Sequence, residues 1–72
     1  MGVVIDREEF KRKALEELRK ADQNLYEKLR KTLEGGEPWA RVVLENAYRL
    51  NLLFGFEESV KKLRRQVEAE LA

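Results

Sequence analysis

Leu18-Arg19-Lys20-Ala21-Asp22-Gln23-Asn24-Leu25 is the stretch that decides the fold. On both sides of it apolar residues keep a helical period: Phe10, Ala14, Leu15, Leu18, Ala21, Leu25, Leu29 and Leu33. A single helix reaching Glu34 satisfies that period. It also sets Asp22 near the middle of the apolar arc, at about 100° of rotation per residue. An unpaired carboxylate buried there is costly. If the chain breaks at Ala21-Asp22 instead, the carboxylate can cap the next helix by accepting from its orphan amides. Arg19 and Lys20 then fall in a last turn, where cations oppose the helix dipole favourably. The break is the preferred reading, and it makes the fold an all-α bundle of four short helices. Continuity through Asp22 would make it three.

Upstream, Asp6 is an N-cap and Glu9 completes a capping box, while Ile5 and Phe10 have the spacing of a hydrophobic staple. Val3-Val4-Ile5 reads as an extended lead-in that packs its isoleucine. Downstream, Gly35-Gly36 stop the second segment. Pro38 opens the next, its missing N–H being one that a first helical turn leaves unpaired anyway. Gly55 ends that helix, and Phe56, Val60, Leu63, Val67 and Leu71 share one face of the last. The spacing predicts helices near 6–20, 22–34, 38–54 and 56–71, joined by short connections that favour antiparallel neighbours. Glu-to-basic pairs four apart support them: Glu8/Arg12, Glu9/Lys13, Glu16/Lys20, Glu27/Lys31, Glu45/Arg49, Glu57/Lys61 and Glu58/Lys62.

Composition narrows the function. The 72 residues make one domain at most and carry a net charge of +1, which does not suggest a nucleic-acid or membrane-surface protein. Cysteine and histidine are both missing, so disulfides, thiolate chemistry and ordinary zinc sites are not expected. Ser59 is the single serine and Thr32 the single threonine, with no histidine to serve either as a base. Adjacent carboxylates such as Glu8/Glu9 and Glu57/Glu58 diverge on a helix instead of sharing a site. Gly35-Gly36 lacks the Gly-Lys-Ser/Thr of a phosphate loop. No catalytic residue, metal or cofactor is therefore expected. The start of the chain lacks a basic region and meets Asp6 at once, so it does not read as a signal peptide. A soluble, non-membrane protein of cytoplasmic or undetermined location is the expectation.

Pro38 to Phe54 carries two apolar stripes. Trp39, Val42, Val43, Leu50, Leu53 and Phe54 form the main face, and Leu44, Tyr48 and Leu52, four apart, form a second. A surface helix ordinarily has one. Two readings follow. Either the helix is sandwiched by the others, or Leu44, Tyr48 and Leu52, with Trp39 as an anchor, make a self-association or partner-binding patch. Asn46 lies within the main face. Such a residue bonds locally at a core edge, or fixes register between paired helices. An alternative function rests on Lys61, Lys62, Arg64 and Arg65 in the last helix, read as phosphate contacts of a helix-turn-helix. Glu57, Glu58, Glu68 and Glu70 flank that run and oppose it.

No natural family is recognised in these residues. The capping box, staple, Gly-Gly stop, Glu-Pro start, Glu/Lys/Arg/Leu surface and missing Cys and His resemble computationally designed helical-bundle proteins. Heat-adapted natural proteins share several of these traits. Gln23-Asn24, Thr32, Asn46 and Asn51 depart from an idealised design, being poorer helix formers. The leading expectation is a non-enzymatic scaffold or interaction module with no small molecule implied, acting as a homodimer through the Leu44/Tyr48/Leu52 stripe or through a protein partner.

Overall fold

A computed structural model describes residues 5–71, so Val3 and Val4 of the expected lead-in lie outside the described residues. Among these residues there are four helices and no strand: α1 (Arg7–Ala21), α2 (Gln23–Glu34), α3 (Pro38–Phe54) and α4 (Phe56–Leu71). The chain breaks at Asp22. This residue is extended (φ −155°, ψ 94°), and its Oδ1 accepts from the Leu25 amide at 3.1 Å. Its own amide closes α1 by donating to the Leu18 carbonyl at 2.8 Å. One residue thus ends one helix and starts the next, and its carboxylate is half-exposed instead of being trapped in the core.

The other boundaries follow equally local rules. The Asp6 carboxylate accepts from the Glu9 amide at 2.8 Å, while the Glu9 carboxylate reaches forward to Lys13 at 3.4 Å. At the end of α2, the Gly36 amide donates to Leu33 and the Glu37 amide to Thr32, a Schellman pattern that requires a left-handed residue. Gly36 supplies it with φ +74°, whereas Gly35 stays right-handed at φ −73°. α3 and α4 meet at a single residue, Gly55, whose φ of +93° excludes most side chains.

The core draws on every helix: Phe10, Ala14 and Leu18 from α1, Leu25 and Leu29 from α2, Ala40, Val43, Leu44 and Ala47 from α3, and Leu63 and Val67 from α4. Ser59 is buried with them, and its hydroxyl donates to the Phe56 carbonyl at 2.6 Å, which removes the penalty of a buried polar group. α3 and α4 form the most extensive helix–helix contact. Two fully buried alanines seven residues apart, Ala40 and Ala47, leave room for a neighbouring backbone to come close. Phe10 is the aromatic centre. Tyr48 and Phe56 both meet its ring edge-on, at 5.7 and 6.0 Å between centroids. The Cα radius of gyration, 11.5 Å, is close to the value of about 11 Å for a compact chain of this length.

Of the seven expected i,i+4 pairs, Glu9/Lys13 closes to within 4 Å among the described residues. Several other acids choose different partners. Glu16 pairs with Arg19, Glu27 with Arg30, Glu58 with Lys61, and Glu45 crosses between helices to Arg7. These pairs are largely solvated, and each adds little to stability.

Candidate functional site

Built outward from the backbone, the surface of α3 is organised by where its core face falls. Ala40, Val43, Leu44 and Ala47 face inward. That arc lies between the two stripes read from the sequence and takes something from each. From the second stripe it takes Leu44, which is 8% exposed, and it half-buries Tyr48. Tyr48 is held firmly. Its hydroxyl donates to the Ile5 carbonyl at 3.1 Å, and the Arg7 guanidinium stands 5.3 Å above its ring. Glu45 fixes that guanidinium through two 3.0 Å bonds from Nε, which hold the Arg7 pKa above its ordinary value. The hydroxyl thus ties the entry of α1 to α3. Leu44 and Tyr48 are therefore parts of the core and its edge, and the candidate interface loses them. Leu52, 55% exposed, stays at the surface, and Trp39 is half-buried.

The main stripe moves the other way. Val43 is buried, but Val42 is 55% exposed, Leu53 75% and Phe54 66%. Asn46 lies exposed among them, so it is solvated and carries no desolvation cost. The result is a ridge along α3 made of Trp39, Val42, Asn46, Leu50 and Leu53, spaced 3, 4, 4 and 3 residues apart. Sequence counting missed it as a surface because the alanines that define the true core face carry little hydrophobic weight.

Two shallow grooves run between this ridge and α4. Near the start of α3, Trp39, Val42, Asn46, Gln66 and Glu70 line one of about 450 Å³. The Trp39 indole N–H donates to Glu37 at 2.7 Å, which fixes the ring there. Near the end of α3, Leu50, Phe54, Glu58 and Lys62 line the other, of about 330 Å³. On the far side of α3 a third groove of about 340 Å³ carries Arg7, Lys11, Arg41 and Glu45 over Leu44 and Tyr48. Its charges are mixed, and its best-placed cation, Arg7, is already committed to Glu45.

The four basic residues of α4 do not act as a set. Arg64 reaches Glu68 at 3.2 Å and Asp22 at 3.9 Å, and Lys61 reaches Glu58 at 3.7 Å, while Lys62 and Arg65 are exposed. Carboxylates are interleaved with the cations, so this face offers phosphates little net attraction. The single serine and the single threonine are both occupied by backbone: Thr32 donates to the Lys28 carbonyl at 2.9 Å, as Ser59 does to Phe56. Glu16 is the acid whose pKa is drawn below its usual range, by its hydrogen bond to Arg19. It lies on an exposed helix face, in a shallow groove with Arg12, Lys13, Glu17 and Phe56. Among the described residues there is no group of three potential metal ligands, and no helix is long and apolar enough to cross a membrane.

No protein-family model matches the chain, and no curated protein or solved structure matches it either.

Proposed function

We propose that the protein is a non-enzymatic helical scaffold that acts as an interaction module, docking protein through the exposed ridge of α3. The observation that carries this reading is the contrast between Leu44 and Leu53. The bundle completes its core with the first and leaves the second, together with Val42 and Phe54, in water. Exposed apolar side chains scattered singly need no explanation, but several in one stripe on one helix do. Local structure gives no reason for Val42 or Leu53. Neither caps a helix or closes a turn, and a polar residue would serve α3 as well at either position. Two further points support a binding role over catalysis. The Thr32 and Ser59 hydroxyls are bonded to backbone, and the groove acids Glu45 and Glu58 are paired with Arg7 and Lys61.

The test is a double substitution, Val42→Glu with Leu53→Glu. The expected protein keeps its helical circular dichroism and melts within a few degrees of the parent. It also binds less of an apolar fluorescent dye than the parent does. Loss of the folded state would show that the ridge is structural and would overturn the reading.

A further inference from the structure

The ridge is nearly palindromic. Measured from Asn46, apolar residues stand four positions away on either side (Val42 and Leu50) and seven positions away on either side (Trp39 and Leu53). An isologous two-fold contact needs a patch complementary to itself, residue i of one copy meeting residue j of the other and j meeting i, and apolar residues at matched distances on both sides of one point meet that need. Resting on the interaction reading above, we infer that the occupant of this surface is a second copy of this chain. Its α3 packs antiparallel to the first, about a two-fold axis passing at Asn46.

Three features of the structure fit that occupant. The first is register. With the axis at Asn46, Val42 of each copy meets Leu50 of the other, and Trp39 meets Leu53. Their mean spacing of 3.5 residues keeps such a seam facing its partner. The two Asn46 side chains meet at the axis, and a carboxamide can donate to its own symmetry mate and accept from it. An asparagine at the centre of an apolar seam disfavours slipped registers, which would leave it against a leucine.

The second is the pair of grooves. The axis exchanges the two ends of the ridge, so the groove holding Trp39, Val42 and Glu70 faces the one holding Leu50, Phe54 and Lys62. Phe54, otherwise exposed at the end of α3, is carried toward Pro38 and Trp39 of the second copy. Lys62, exposed and without an ion-pair partner among the described residues, is carried toward Glu70 of the second copy. Two such pairs form per dimer; Glu58, which shares the groove with Lys62, is paired with Lys61 at 3.7 Å.

The third is area. An aromatic side chain presents roughly 150–250 Å² and an aliphatic one less, so the exposed fractions of Val42, Leu53 and Phe54, with the half-buried Trp39 and Leu50, leave about 450 Å² of apolar surface in water. A stable interface of ordinary size takes about 800 Å² from each partner, a little over half of it apolar. The ridge supplies that apolar share, and the Asn46, Lys62 and Glu70 rim supplies polar area.

The experiment combines molar mass with register. Sedimentation equilibrium across a concentration series should give a monomer–dimer equilibrium. Lys62→Glu and Glu70→Lys should each weaken dimerisation by about threefold to tenfold, since both copies of an exposed ion pair are reversed. The double charge swap should restore it. Asn46→Cys, in a chain with no other cysteine, should form a disulfide-linked dimer on oxidation, whereas Leu52→Cys, on the opposite flank of α3, should not. A monomer at every concentration up to about 1 mM, where even a weak contact of ~4 kcal/mol is half-populated, would overturn the inference. So would a dimer that cross-links through Leu52→Cys and not through Asn46→Cys. Failure of the interaction reading itself looks different: Val42→Glu with Leu53→Glu would unfold the chain.

Discussion

Leu44 and Leu53 belong to the same helix, have the same side chain and differ in what surrounds them. Truncating each to alanine therefore isolates the environment. Leu44 is 8% exposed and is part of the core cluster; Leu53 is 75% exposed. Buried Leu→Ala substitutions cost about 2–5 kcal/mol, combining lost transfer energy with the cavity left behind. Leu44 also lines the groove beside Arg7, so water and neighbouring side chains can partly fill the space, and the lower end, about 2–3 kcal/mol, is the expected cost. For Leu53 only a quarter of the side chain leaves water on folding. Scaling the roughly 1.5–3 kcal/mol for full burial gives about 0.4–0.7 kcal/mol.

That gap is large for this chain. A domain of this size holds about 3–5 kcal/mol of net stability, so Leu44→Ala removes around half of it. At about 4–8 °C per kcal/mol, its melting temperature should fall by roughly 10–20 °C, against about 2–5 °C for Leu53→Ala. Urea unfolding followed by circular dichroism measures both, at a protein concentration low enough for monomer to dominate. Equal costs for the two substitutions, or a larger cost for Leu53→Ala, would refute the assignment of Leu44 to the core and Leu53 to the surface. The proposals built on the ridge would fall with it.

Two further outcomes follow from the helix ends. Asp22→Ala should cost about 1–2 kcal/mol, the usual worth of an N-cap, while Asp22→Asn should keep most of that stability; urea midpoints that treat the two variants alike would deny the cap its role. Gly35→Ala should be neutral or stabilise by up to about 1 kcal/mol, because Gly35 is right-handed and an added Cβ meets its nearest atoms at 3.5 and 3.6 Å, whereas Gly36→Ala should destabilise by about 1 kcal/mol or more because its φ is +74°. Thermal melts of the pair separate them, and the same sign for both would contradict the Schellman geometry.

Segmentation was legible in the sequence because each boundary is a local event. Asp22, Gly36, Pro38 and Gly55 each solve a backbone problem within a few residues of themselves, and spacing alone exposes the solution. Which face of α3 turns inward is not local. Counting large apolar residues put the main face on Trp39, Val42, Val43, Leu50, Leu53 and Phe54 and left Leu44, Tyr48 and Leu52 as either a second buried face or a candidate patch. Packing followed the small residues instead: Ala40 and Ala47 set the inward direction, and Leu44 and Tyr48 came inside with them. Tyr48 carried a weak signal in the sequence, since an aromatic with a polar tip suits a core edge, but its partner, the Ile5 carbonyl, is 43 residues away in the chain. With the alanines pointing inward, the main stripe gives Val43 to the core and Trp39 to its edge, while Val42, Leu53 and Phe54 stay in water. The two-stripe pattern of α3 then has a single physical account. One stripe, completed by alanines, folds the chain, and the other, centred on Asn46, is left in water as the surface that we propose a second copy covers.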